Sequence, residues 1–394
     1  MRRYQWLVGI SIIFISLFAK QTISLADPTT DMIGEAEDDM LENVSLDGIR
    51  QYWDKIVHDY GNFISGLEKT NLRDFIKGHE SFSLKQAIVG ILEYLFHELI
   101  INGRLLGTLM LLTLFSAILQ TMHTAFEQGM VSKIAYFVVY LVLIFLALNS
   151  FYLSVSYAQE AIDTMSSFMI ALVPLILGLM ATFGQVASVS FFHPLIIFLI
   201  HLSSVLVSKF IMPLLFLSAL LYIVSSLNEN FQVTHLANLF KSVAIGVLGA
   251  FLTIFLGVMS VQGAASAVQD GVAMKTAKFI TGNFIPVVGR TFTDATDTIL
   301  SASLLLKNAV GIVGVVIIIL IAIFPAIKIF AIAFIYKVAA AVLQPIGGGP
   351  LIECLNTISK FITFILACLL TVTLMFFLAI VIIVIASHMT LLLR

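Results

Sequence analysis

From Leu105 onward the chain is a near-continuous succession of hydrophobic segments, and that succession constrains the fold more than any other feature. The clearest are Leu105–Met122, Ile134–Val155, Met165–Phe183, Val189–Val207, Phe210–Leu227, Val243–Val261, Ala309–Phe324 and Phe361–Ala386. A further apolar stretch, Ile329–Leu343, is interrupted by Lys337 and preceded by Pro325 and Lys328. About 20 apolar residues make a helix long enough to cross a bilayer. In lipid a backbone satisfies its own N–H and C=O groups only as helices or as a closed barrel, and runs of this length read as helices. The 394 residues are 60% hydrophobic and only 11% charged, against about 25% charged in a soluble domain. Most of the surface therefore faces something other than water. The sequence predicts an all-α, polytopic transmembrane helix bundle. Pro174, Pro194, Pro213 and Pro325 lie in or beside the apolar runs and predict kinks.

The formal net charge of −2 hides an asymmetry: the leader is basic, Asp27–Glu98 is strongly acidic, and the remainder from Arg104 is basic. Basic segments tend to stay in the cytoplasm, so the acidic stretch suits export. Residues 1–26 read as a signal peptide, with Arg2 and Arg3, an apolar run from Trp6 to Ala19, and the small residues of Ser24-Leu25-Ala26. An uncleaved anchor over Trp6–Leu25 is the rival reading, and the shortness of the run favours cleavage. Residues 27–46, acidic and poor in aromatics, form a flexible segment.

Residues 47–102 are expected to make a small extracytoplasmic or interfacial helical region. Ile49, Trp53, Ile56, Tyr60 and Phe63 recur at helical spacing. Beyond Gly78, Ser83 and Gln86 make a capping-box pair. Leu84, Ile88, Ile91, Leu95 and Leu99 then form one apolar stripe, with Lys85, Glu93 and Glu98 off it. Residues 103–394 are the multi-pass domain. With 27–102 outside, the Glu127–Lys133 loop falls inside and a Glu160/Asp163 loop outside. Past about residue 183 the loop charges are mixed and give no orientation.

The stretch 262–308 is unlike the rest. Gly263, Ala267 and Gly271, four apart, let helices approach closely. Gly282, Pro286 and Gly289 then break the helix around an apolar turn, and a second helix starts near Thr291. Arg290, Asp294, Asp297 and Ser301 follow at helical spacing, with Lys307 near the C-terminal end. Two readings are open. One is an extramembrane hairpin with solvated charges. The other is a broken or re-entrant element inside the bundle whose polar side chains line a water-filled path, since ionisable groups within a membrane mark such pathways. A second break is predicted at Gln344-Pro-Ile-Gly-Gly-Gly-Pro350, where Gly347, Gly348 and Gly349 make a tight turn or a close backbone contact.

The enzyme classes fail on their own residues. His97-Glu98-Leu99-Ile100-Ile101 begins like a zinc-protease helix, but Ile101 stands where the second histidine belongs. His193 and His201 lack an acidic neighbour and read as structural rather than as a proton relay. Cys354 and Cys368 are too few for a four-cysteine metal site and read as small apolar side chains. No phosphate loop, no GxSxG and no basic–aromatic surface for nucleic acid occurs. No catalytic residue, metal or cofactor is assigned.

At these same stretches the chain resembles the stage III sporulation protein AE family of endospore-forming bacteria. The likeness is densest in LFHELIINGRLLGTL (95–109), VYLVLIFLALNSF (139–151), FFHP (191–194), FLTIFLGVMSVQGA (251–264), TAKFITGNFIPVVGRTFTDATDTILSASLLLKN (276–308) and QPIGGGP (344–350). The resemblance implies a multi-pass protein of the mother-cell membrane around the forespore. It implies work with the other proteins of the stage III sporulation A operon, including an ATPase and ring-forming members, and with the forespore Q protein. Together these would build a channel-like, secretion-like complex, with this chain as its membrane-embedded core. A self-contained secondary transporter is the alternative, and it predicts inverted repeats with matching broken helices. No convincing repeat is visible.

Overall fold

The computed structural model describes residues 46–64, 71–76, 84–125, 130–182, 186–227, 233–284, 288–345 and 350–392. The leader and nearly all of the acidic segment lie outside these residues. Every regular element described is helical. In order they are α1 (Asp47–Tyr60) with a 3₁₀ turn at Gly61–Phe63, α2 (Leu72–Ile76), α3 (Leu84–Ile101), α4 (Gly103–Ala125) and α5 (Met130–Thr182). Then come α6 (Val186–Val205), a π-helical turn (Leu206–Ile211), α7 (Met212–Leu227), α8 (Thr234–Phe284), α9 (Val288–Leu343) and α10 (Pro350–Leu392). The fold is an all-α polytopic bundle. Among the described residues five helices are long and apolar enough to cross a membrane, or up to six with the bent pair Lys85–Ile101 and Gly103–Ser116 taken as one span.

The helices are fewer and longer than the hydrophobic segments imply. Ile134–Val155 and Met165–Phe183 were expected as separate spans joined by an outside loop at Glu160 and Asp163. Instead α5 runs unbroken through both charges over 53 residues. The intervening Ser156–Thr164 contains no glycine or proline, and Ala, Gln and Glu are sound helix formers. A charge ends a lipid-facing segment without ending a helix. Likewise Ala309–Phe324 and Ile329–Leu343 are one helix, α9, with Pro325 inside it. Between α6 and α7 the chain stays helical through the π turn. The apolar part of α5 alone spans 45 residues, roughly 68 Å at about 1.5 Å per residue, more than twice the ~30 Å hydrocarbon core.

α9 and α10 form the most extensive pair, and α5 packs against both. Their shared core holds Phe168, Leu172, Ile317, Phe324, Tyr336, Phe376 and Ile380, all fully buried. Close approach is built in by small residues. A Cβ added at Gly311 would sit 2.5 Å from Val384 Cγ2, and one at Gly314 would sit 2.5 Å from Leu172 Cδ2. Buried polar groups are tied to neighbouring helices. The Tyr336 hydroxyl meets Ser150 Oγ at 2.9 Å, and Ser359 donates to the Ala333 carbonyl at 2.9 Å. The π turn has a matched partner on α5, where Gln159 Nε2 donates to the Ser208 carbonyl at 3.0 Å and Ser204 donates to Asp163 at 2.8 Å. Cys354 and Cys368 are both buried and free.

α1 lies along α5 and reaches α9. Ile49, Trp53 and Ile56 are its buried face, as the spacing predicts. Tyr52 meets Phe168 edge-on at 5.4 Å, and Tyr60 stacks on Phe324 at 3.7 Å. Most of the expected stripe of α3 packs on the core, with Ile91, Leu95 and Leu99 half-buried against it. Ile88 is 58% exposed, while the inward line is Ala87, Gly90, Tyr94 and Glu98. Leu92, Phe96 and Ile100 face outward with Ile88. Lys85 and Glu93 are exposed, and of the three charged residues Glu98 turns inward.

Candidate functional site

The polar residues that α3 turns inward open onto a chamber of about 440 Å³ between α1, α3, α5 and α9. α1 supplies Tyr52, Lys55, Asp59 and Tyr60, and α3 supplies Tyr94, His97 and Glu98. From α5 come Tyr157, Glu160 and Thr164, and from α9 come Ile321, Pro325 and Lys328. α1 carries Lys55 and Asp59 four apart, and α3 carries Tyr94 and Glu98 four apart, so each helix presents both residues on one face. The continuity of α5 places Tyr157 and Glu160 one turn apart on the same face.

Glu98 is only 8% exposed. Asn102 Nδ2 lies 3.3 Å from its Oε2, and the Tyr94 hydroxyl hydrogen-bonds it as well. Lys328 Nζ sits 5.3 Å from the centre of the Tyr157 ring, within range of a cation–π interaction. Burial, with the charges of Asp59, Glu160 and Glu98, pushes the Tyr60 hydroxyl up to about 12, so it stays protonated and a donor at neutral pH. Burial also raises Tyr52, against a hydrogen bond from Ser167 that lowers it. Among the described residues no group of three or more His, Cys, Asp or Glu side chains is arranged to hold a metal ion. The arrangement is that of a polar binding chamber.

Pro325 interrupts the hydrogen-bond ladder of α9 beside the chamber. It carries no N–H, so the Ile321 carbonyl one turn earlier loses its donor within the helix. Ile321 and Pro325 both line the chamber.

The residues singled out in the sequence fall on α8, on α9 and in the segments between helices. Lys307 is fully buried and donates to the Val384 carbonyl of α10 at 3.1 Å. Arg290, Asp294, Asp297 and Ser301 share the backbone of α9 with it, and their side chains lie outside the described set. Gly263, buried, shares α8 with Ala267 and Gly271. Gly282 falls in the last turn of α8 and Gly289 in the first turn of α9, which begins at Val288. Pro286, Gly347, Gly348 and Gly349 lie outside the described residues. Neither Lys307 nor Gly263 lines the chamber. His193 and His201 are exposed on α6.

The chamber was missed in the sequence because its residues come from four separated helices. One signal pointed to it: His97-Glu98 in an otherwise apolar helix, set aside there as an incomplete zinc-protease pattern. The other signal was Glu160 and Asp163 between two apolar runs, which read as a loop.

Comparison with known proteins agrees with the architecture. The family model described as stage III sporulation protein AE matches residues 67–387. Stage III sporulation protein AE of Bacillus subtilis (strain 168) is 52% identical over 399 aligned positions, covering 100% of both chains. No solved structure matches. A match over most of the sequence by the family model, joined to a full-length relative at this identity, leaves one assignment: the chain belongs to the stage III sporulation protein AE family.

Proposed function

We propose that this chain is the membrane-embedded core subunit of a channel-like, secretion-like complex linking mother cell and forespore during stage III spore development. Family membership carries the sporulation role. The observation that favours a conduit or its scaffold is ionisable chemistry held inside an apolar bundle, at the chamber and at Lys307. Such groups are costly in lipid surroundings and mark pathways. In this reading the leader is cleaved, the N-terminal region is extracytoplasmic, and the protein resides in the mother-cell membrane. Its partners are membrane lipid, the ATPase and ring-forming proteins of the same operon, and the forespore Q protein. Arg290, Asp294, Asp297, Ser301 and Lys307 would line a polar path along α9. Gly263, Ala267 and Gly271 would pack it closely against its neighbours, and the breaks at 282–289 and 347–349 would set its turns.

The test is affinity capture of the full-length chain from sporulating cells. Recovery of the ATPase and a ring-forming member supports the reading. Their absence, together with saturable uptake of a solute by the purified chain alone in liposomes, replaces it with the self-contained transporter.

A further inference from the structure

The chamber holds charges of both signs that do not neutralise one another. Among the described residues no nitrogen of Lys55 or Lys328 lies within 4.0 Å of a carboxylate oxygen of Asp59, Glu98 or Glu160. Asp59 is instead within 3.0 Å of His58. Glu98 is buried with Asn102 donating to it, Lys328 is half-buried over the Tyr157 ring, and Glu160 stands exposed at the rim, so one cavity presents both signs of charge without an ion pair between them. A ligand carrying both signs satisfies all three. Its ammonium end has Glu98 and Glu160 as acceptors, beside tyrosine rings. Its anionic end has Lys328.

We infer that the chamber binds a small zwitterion of the α-amino-acid type, its ammonium group toward Glu98 and Glu160 and its carboxylate toward Lys328. A volume of about 440 Å³ is at the small end of the range for small-molecule sites, which suits a ligand of this size. The dispersal of the acids, which form no metal-holding group among the described residues, favours an organic cation over a bare one. The inference stands apart from membership of a multiprotein complex: either one survives failure of the other.

The experiment is equilibrium dialysis of the purified full-length chain in lipid nanodiscs against an equimolar mixture of the common α-amino acids, putrescine and succinate. Retention of one or more amino acids, with putrescine and succinate passing freely, is the expected result. Glu98→Gln and Lys328→Gln each lower that retention about tenfold, the scale of one charge-assisted contact. Lys328→Gln also shifts preference toward putrescine, a change that mere loss of packing does not produce. Lys241→Gln, on α8 away from the chamber, leaves retention unchanged. If Glu98→Gln does not fold, judged by helical circular dichroism and thermal transition, Glu160→Gln takes its place. Retention of nothing by the folded parent chain overturns the inference. So does retention of putrescine in preference to every amino acid, or undiminished retention by Lys328→Gln.

Discussion

Lys307 Nζ donates to the carbonyl oxygen of Val384 at 3.1 Å, across 77 residues of sequence and the main helix–helix interface of the protein. The lysine is fully buried, so this bond joins α9 to α10 where neither helix meets water. A main-chain carbonyl brings no compensating charge, which makes the ammonium expensive to keep.

That expense separates stability from function. Lys307→Met keeps an unbranched side chain, one heavy atom shorter, and removes the charge, and is expected to match or exceed the parent chain in thermal stability in detergent. Lys307→Ala leaves a cavity and is expected to lose about 2–5 kcal/mol. If the ammonium belongs to a polar path, both variants lower the yield of heat-resistant spores. Normal spore yield in Lys307→Met would show that the charge does no more than pack.

Gly90 is required by contact. A Cβ there would land on the backbone carbonyl of Phe63, which cannot swing away as a side-chain tip can. Gly90→Ala is expected to cost at least about 3 kcal/mol, the upper end of overpacking effects, and to detach the 3₁₀ turn after α1 from α3. Limited proteolysis near residues 61–64 reads that detachment. Gly246→Ala is the control, because nothing lies within 4 Å of its added Cβ.

Tyr60 and Phe324 stack with ring planes 3° apart, and Tyr94 meets both rings edge-on. Tyr60→Phe preserves this cluster, whereas Tyr60→Ala is expected to cost about 2–4 kcal/mol. The pH dependence follows from the hydroxyl, raised to about 12 in the folded chain from the ordinary 10.0. A raised value means that Tyr60 contributes stability in full below pH 10, and loses it as pH climbs from about 10 to 12. Thermal transitions across that window should fall less steeply in Tyr60→Phe. Identical slopes in the two chains would place the hydroxyl in water.

Asp294→Ala and Asp297→Ala test the proposed path along α9. Each is expected to block sporulation without lowering the amount of protein in the membrane, measured by immunoblot beside spore counts. Full spore yield from both variants would remove these carboxylates from the mechanism. Accessibility labelling of single cysteines at 270, 290 and 307 places the same stretch outside, inside or within the bundle.

Helicity and membrane residence were legible from hydropathy, because an apolar run of sufficient length leaves its backbone few other solutions. The amphipathic face of α1 was legible too, since Ile49, Trp53 and Ile56 repeat with the helical period. On α3 the same rule held in part, since Ile91, Leu95 and Leu99 pack against the core while Ile88 is exposed. Apolar periodicity finds the core cleanly only when the far side is polar, and α3 also exposes the large apolar Leu92, Phe96 and Ile100. Glu160 shows the complementary error: hydropathy registers the charge as the end of a segment, while the backbone, having no glycine or proline there, continues.

The sequence by itself determined that this chain is a bundle of apolar helices and which family it resembles, because both are written in runs of neighbouring residues. Which polar groups meet was decided only by the tertiary structure. Glu98, Glu160 and Lys328 come from three helices, and Lys307 finds its acceptor 77 residues away. Pairings of that kind depend on how each helix is rotated about its axis, and that rotation is set by packing on Gly90, Gly311 and Gly314 rather than by local propensity.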